Sequence, residues 1–251
     1  MSIALLQLSG VGISFGALQA VNGVSLELKA GERVAIFGPN GAGKTTLFNA
    51  ITGMTPATHG TIKMQGVDIT RASPHKRAEC GIARTFQITN LFFGLSVEEN
   101  LLLASRGLGV SKFSFFGFGG STAAEKQIVD SAMQRCHLLE RRSVLVKHLA
   151  YGEQRQLELA MSLTSSPKVL LLDEPAAGLS AVERKVMADV IKGLSREMAF
   201  ILIEHDIELA LSLVERVICM YQGQIFAQGS PDEIRANEGV QDIYLGRRRR
   251  A

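Results

Sequence analysis

The sequence predicts an α/β fold: a mainly parallel sheet core, a small antiparallel β subdomain at its start, and a helical subdomain inserted within it. Three observations predict this. Short apolar runs at Val34–Phe37, Val169–Leu172 and Phe200–Ile203 read as strands buried on both faces, and each is followed by a helical pattern. The first 30 residues instead alternate apolar and polar between glycine breaks: Leu6, Leu8, Val11 and Ile13, then Val24, Leu26 and Leu28. Short, half-exposed antiparallel strands have that pattern. From about residue 90 to 165, capping boxes and helical spacing replace strand signals.

Taken in order, Arg33–Phe37 is a buried strand that enters a glycine-rich turn. A helix follows from about Lys44 to Thr52 and is stopped by Gly53. Gly60 to Ile69 is a strand pair turning at Gln65 and Gly66. Ser96 with Glu99 opens a helix, and a Gly/Ser/Phe-rich stretch, Ser105 to Ser121, interrupts the helical block. Helix resumes from Thr122 to about Glu140. Lys168 to Leu172 is strand, Ser180 with Glu183 opens a helix to about Arg196, and Phe200 to Ile203 is strand again. Asp206 to Leu213 is helix and Val217 to Met220 strand. Gln222 and Gly223 turn the chain into Gln224–Ala227, and Ser230, Pro231, Asp232 and Glu233 start a last helix. The expected units are 1–89 (β subdomain and first part of the core), 90–165 (helical subdomain), 166–236 (second part of the core) and 237–251, a basic tail that contains Arg247–Arg250.

Bulk properties narrow the function classes. The 251 residues are 46% hydrophobic, enough for a sizeable core, and only 20% charged, which argues against wholesale disorder. A net charge of +3 provides no global basic field, so no nucleic-acid partner is expected. Cys80, Cys136 and Cys219 are odd in number and fit no metal spacing, so free thiols in a reducing compartment are expected. No apolar run reaches the roughly 18 residues of a membrane span, and the start MSIALLQLSG lacks the basic segment of a secretory signal. A soluble cytoplasmic protein is the expectation.

Gly38, Pro39, Asn40, Gly41, Ala42, Gly43, Lys44 and Thr45 fit G-x-x-x-x-G-K-[ST] between a predicted strand and a predicted helix. Glycines let backbone N–H groups converge on phosphate oxygens, and the helix N-terminus adds a favourable field. In this pattern Lys44 reaches the β- and γ-phosphates and the Thr45 hydroxyl ligates Mg²⁺. Thr46 follows within the same helix start. The loop says nucleotide, not what is done with it. No Asn-Lys-x-Asp stretch of the kind that reads guanine is present.

Asp173 and Glu174 end the second apolar run, where α/β sheets bind ligands. Alone, such a pair is more often a charged strand end. Beside a phosphate loop, Asp173 is placed to hold Mg²⁺ and Glu174, pointing the other way if the strand persists, to polarise an attacking water. The next strand ends in Glu204, His205 and Asp206. A lone histidine there is usually a polar exit residue; at the same sheet edge as the acids, a γ-phosphate contact is the better reading.

Leu149, Ala150, Tyr151, Gly152, Glu153 and Gln154, preceding the acidic strand, decide among the nucleotide enzymes. They resemble the signature motif of ABC ATPases, commonly Leu-Ser-Gly-Gly-Gln. The segments ARTFQ, LAYGEQRQLELA, DEPAAGLS, IEHD and the ending IYLG further resemble the ATPase subunits of branched-chain amino acid importers. The resemblance runs from about residue 5 to 246 and implies a RecA-like P-loop NTPase core. It implies ATP and Mg²⁺ as cofactors, with Phe15 stacking on adenine, and Gln87 joining Thr45 and Asp173 at the metal. It implies Ala150, Tyr151, Gly152 and Glu153 meeting the γ-phosphate held by another subunit, and His205 as the switch histidine. Ala177, Gly178, Leu179 and Ser180 fall in the D-loop. Ala150, Tyr151, Glu153 and Ser180 depart from the common serine, glycine, glutamine and aspartate. The implied partners are integral-membrane permeases, a second ATPase subunit paired head-to-tail, and indirectly an extracytoplasmic solute-binding protein, with the chain on the cytoplasmic face of the membrane. Ile88, Leu91, Phe92 and Phe93 would line the permease groove. A non-transport ABC ATPase and a regulatory ATP-binding module are the alternatives. Replacing Lys44 with Ala is expected to weaken nucleotide binding, and unchanged ATP affinity in an equilibrium titration would contradict the phosphate-loop assignment.

Overall fold

The structure, a computed structural model, describes residues 4–85, 91–107 and 121–245. Its strands are β1 (Leu6–Phe15), β2 (Leu18–Leu28), β3 (Arg33–Phe37), β4 (His59–Met64), β5 (Val67–Asp68), β6 (Ile82–Arg84), β7 (Val169–Asp173), β8 (Ala199–Ile203), β9 (Arg216–Tyr221) and β10 (Gln224–Gly229). Its helices are α1 (Lys44–Thr52), α2 (Pro74–Glu79), α3 (Val97–Arg106), α4 (Ala123–Arg135), α5 (Tyr151–Leu163), α6 (Ala181–Lys192), α7 (Ile207–Leu211), α8 (Pro231–Ala236) and α9 (Glu238–Leu245).

The six-stranded sheet has the order β10-β9-β3-β8-β7-β6, with β10 alone antiparallel to its neighbour. Every residue of β3, β7 and β8 is buried, which is why these strands read as unbroken apolar runs. Successive side chains point to opposite faces. On β7, Leu170 and Leu172 join one apolar cluster with Leu101, Val129, Leu157 and Ile191 from the helices, while Val169 and Leu171 join a second with Leu47, Phe48 and Ile51 of α1. The antiparallel sheet, order β2-β1-β4-β5, adds Leu6, Leu8, Leu26 and Leu28 to that second cluster. The parallel sheet is thus a wall between two cores.

The first two strands are longer than their broken sequence pattern suggests, at 10 and 11 residues. Register shifts between Leu8 and Val11 let the strand run on through its glycine instead of ending there. Three helices are shorter than expected. The α4 helix stops at Arg135, because His137 adopts a left-handed conformation (φ 57°) and Leu138 N–H closes on the Met133 carbonyl, a Schellman ending built without glycine. The α6 helix ends at Lys192, with Gly193 as its C-cap, and α7 at Leu211, with Ser212 as its C-cap. The sequence reading passes over α2, capped by Ser73 with Pro74 in its first turn, and over the three-residue β6. Residues 238–245, within the stretch expected as a tail, are helical. Most of the expected Ser105–Ser121 interruption and the Arg247–Arg250 run lie outside the described residues. Among the described residues no helix is long and apolar enough to cross a membrane.

Phe200 at the middle of the sheet is fully buried, with the Arg33 guanidinium 5.4 Å from its ring centroid. Truncation to Ala is expected to cost about 3–5 kcal/mol of stability, read as a lower urea midpoint.

Candidate nucleotide site

Parallel pairing brings three strand ends together. Ile36 of β3 pairs with Ile203 of β8, which pairs with Asp173 of β7. The loop leaving β3 therefore faces the acids leaving β7 and the histidine leaving β8.

The loop is compact because its glycines have no side chain. A Cβ on Gly38 would lie 2.4 Å from the Met220 carbonyl oxygen, and one on Gly43 (φ 97°) would lie 2.4 Å from the Ala20 carbonyl oxygen of β2. Lys44 is buried, and its Nζ donates to the Gly38 and Pro39 carbonyls at 2.7 and 3.1 Å. Burial pushes its ammonium pKa down, while the Glu174 and Asp173 carboxylates pull it back up. A cavity of about 170 Å³ lies in front of this loop, lined by Asn40, Gly41, Ala42, Gly43, Lys44, Thr45, Thr46, Glu174 and His205. Two larger clefts lie elsewhere and hold none of these groups.

The two acids differ in setting. Asp173 is buried and ion-pairs with Arg84 through Oδ2, while its Oδ1 is buried without a hydrogen-bond partner. Glu174 does not continue the strand, as its φ is 49°. This sparsely populated conformation for a non-glycine residue is held by Glu174 N–H donating to the Ile203 carbonyl at 2.8 Å. The bend, rather than strand alternation, carries the carboxylate to the cavity, where Oε1 lies 3.0 Å from His205 Nε2.

A third acid, Glu204, was not singled out from the sequence. It is buried, its Oε1 accepts from Ala176 N–H at 2.9 Å, and its Oε2 accepts from His205 N–H at 2.9 Å. It ties the loop after β7 to the turn that carries the histidine. Its position directly after an apolar strand was the available signal.

The segment 150–153 opens α5 and does not line the cavity. Ala150 is the N-cap without a side-chain acceptor. Glu153 Oε2 accepts from Ala150 N–H at 2.9 Å and its Oε1 pairs with Arg141 at 2.6 Å, so the carboxylate caps its own helix. Tyr151 is exposed, with the Arg155 guanidinium 5.3 Å from its ring centroid. Ser180 caps α6 in a full capping box with Glu183, whose Oε1 also accepts from Gly152 N–H at 3.1 Å. These bonds, the Ser180 hydroxyl foremost, hold the Glu183 carboxyl below its usual range.

Phe15 lies exposed at the end of β1, outside the cavity lining. Gln87 and Ile88 lie outside the described residues. Leu91, expected in a partner groove, is buried in the core, whereas Phe92 and Phe93 are exposed.

A family profile described as ABC transporter matches residues 21–177, more than half of the chain. The chain belongs to the ABC transporter family of ATP-binding cassettes. A second profile, branched-chain amino acid ATP-binding cassette transporter, matches residues 224–249. The cassette is 40% identical over 253 residues to the high-affinity branched-chain amino acid transport ATP-binding protein LivG of Escherichia coli, covering 98% of this chain and 99% of the relative. It is 38% identical, over the same shares, to the corresponding protein BraF of Pseudomonas aeruginosa. Among solved structures it resembles an ATP-binding cassette of an ABC transporter in its ADP conformation (TM-score 0.86, 27% identity, 98% of this chain and 100% of that one). It also resembles a nucleotide-free cassette (TM-score 0.84, 26% identity, 96% and 98%). The expected α/β P-loop NTPase fold is the fold of these cassettes, and membership in the family makes the chain an ATP-binding ATPase.

Burial raises the Glu204 pKa above its ordinary 4.5, against the lowering effect of its N–H donors. The native state then holds a proton that the unfolded chain has already released. This contribution to stability is present below 4.5 and is lost as pH rises through the raised value. A ¹³C-carboxyl titration is expected to place Glu204 above the ordinary glutamate range; a midpoint at or below it would contradict this account.

Proposed function

We propose that this chain is the ATP-hydrolysing subunit of an importer for branched-chain amino acids or related small polar solutes. The observation that carries the reading is the meeting of Lys44, Glu174 and His205 around one cavity at the sheet edge. The names of its relatives, LivG and BraF, supply the solute class.

In this reading the N–H groups of Gly41, Ala42, Gly43, Lys44, Thr45 and Thr46 receive the phosphates, and Lys44 exchanges its carbonyl partners for phosphate oxygens. Phe15 packs on the adenine. The residues fit a divalent ion: Asp173 keeps one buried oxygen without a partner, and Thr45 lines the cavity. Among the described residues no cluster of three or more His, Cys, Asp or Glu side chains forms a metal cage. Mg²⁺ held by one or two protein oxygens and by phosphates requires none. Thr45, Asp173 and Gln87 would hold it, and it would neutralise phosphate charge. Glu174 accepts the proton of the attacking water, and His205, hydrogen-bonded to it, orients the carboxylate toward the γ-phosphate.

The segment Ala150–Glu153 serves the nucleotide of a second ATPase chain, which supports a head-to-tail pair. Closure of the pair moves the helical block of residues 90–165 against the core. That motion drives integral-membrane permeases through the exposed Phe92 and Phe93 on the cytoplasmic face, and an external solute-binding protein delivers the cargo.

Replacing Glu174 with Gln is expected to leave ATP binding intact and to lower steady-state phosphate release by roughly a hundredfold or more. Wild-type turnover would remove Glu174 from the mechanism. The same variant, used with Mg-ATP to capture partners from gently solubilised native membranes, is expected to bring down polytopic permeases. Ribosomal or DNA-repair proteins in their place would overturn the transport assignment.

A further inference from the structure

We propose that Arg84 is a positioning residue for hydrolysis: by gripping one oxygen of Asp173 it leaves the other poised for the metal, and it ties that acid to the phosphate-loop helix. The inference rests on the reading of Asp173 as a metal residue.

Arg84 is the last residue of β6, the short edge strand that pairs with β7. Its guanidinium forks between two elements. Nη2 donates to Asp173 Oδ2 at the end of β7, and Nη1 donates to Asn49 Oδ1 on α1 at 2.5 Å. The guanidinium carbon sits 5.7 Å from the Phe48 ring centroid on the same helix. Both partners of the ion pair are sequestered, with side-chain exposures of 8% for Arg84 and 0% for Asp173. A planar fork stacked on a ring is a geometry that lysine cannot reproduce.

The next residue completes the grip. Thr85 Oγ1 accepts from Asp173 N–H at 3.3 Å, and Thr85 N–H donates to the Leu171 carbonyl at 3.0 Å. Asp173 is therefore held by its backbone and by one carboxylate oxygen, while Oδ1 is buried without a partner. A buried carboxylate oxygen left unmatched is costly unless something binds it. Outer partners that orient a ligating carboxylate are known to govern metal affinity strongly. Arg84 also joins the two elements that must keep their spacing: α1, which begins with Lys44 and Thr45, and β7, which ends at Asp173.

The test uses the intact chain with Mn²⁺ as probe and a non-hydrolysable ATP analogue, reading free Mn²⁺ by electron paramagnetic resonance. The variants are Arg84→Met, Arg84→Lys, Asn49→Ala and Asp173→Asn. Arg84→Met is expected to weaken Mn²⁺ binding roughly ten- to a hundredfold while metal-free binding of the analogue is unchanged. Arg84→Lys keeps the charge but not the fork, so it is expected to restore thermal stability without restoring Mn²⁺ affinity. If Arg84→Met does not fold, Arg84→Lys and Asn49→Ala carry the test, and Asn49→Ala is expected to weaken Mn²⁺ as well. Wild-type Mn²⁺ affinity in the folded Arg84 variants would make Arg84 a structural brace and overturn the proposal. Wild-type Mn²⁺ affinity in Asp173→Asn would instead remove Asp173 from the metal site, a separate failure that sinks the reading beneath it.

Discussion

The parallel pairing of β3, β8 and β7 is the constraint on which everything else in this cassette rests. These strands come from widely separated parts of the chain, yet their register puts Ile36, Ile203 and Asp173 in line across the sheet. Each strand is buried throughout, so its backbone groups must be paired within the sheet and its position is strongly determined. Where the strands stop, the chain is released into polar loops at one edge. Asp173 closes β7, and the phosphate loop, Glu174 and the histidine are what lies immediately past that edge.

Charge is distributed around the site in a graded way. Asp173 is buried and matched by arginine on one side; Glu174 is turned to the cavity and meets a histidine; Glu204 is buried and matched by backbone N–H groups. Three acids gathered at one sheet edge would repel one another and a phosphate ligand if all were alike. Of the three, Glu174 lines the cavity, Asp173 is tied to Arg84 through one oxygen, and Glu204 is tied to the N–H groups of Ala176 and His205. The same economy applies at the starts of α5 and α6, where Glu153 and Glu183 serve helix caps.

Much of this was legible in the sequence. Continuous apolar runs, capping boxes and the glycine-rich loop are local signals, and the elements they mark were found with ends displaced by a few residues. The displaced ends have local causes that lack a strong residue signature: a histidine in the left-handed conformation at position 137, or a strand carried through its glycine by a bulge. The bend at Glu174 was missed because the expectation rested on the strand persisting, whereas the chain turns there with its N–H tied to the Ile203 carbonyl, a tertiary bond. Arg84 and Glu204 were not singled out because their partners are distant in sequence. Asp173 lies 89 positions from Arg84, a separation that no periodicity spans. The nucleotide chemistry announces itself in motifs, while the groups that orient it do not.

The wall between two cores has a consequence for how such a chain can change over evolutionary time. Leu170 and Leu171 are neighbours in sequence, but one is packed among the helices of residues 90–165 and the other against α1 and the antiparallel sheet. A volume change at one is compensated within a different set of residues from a change at the other. Drift in the helical layer can therefore proceed through every second residue of a strand. The alternate residues, backing the phosphate loop, answer to a separate set of neighbours, so one strand is open to two independent courses of substitution.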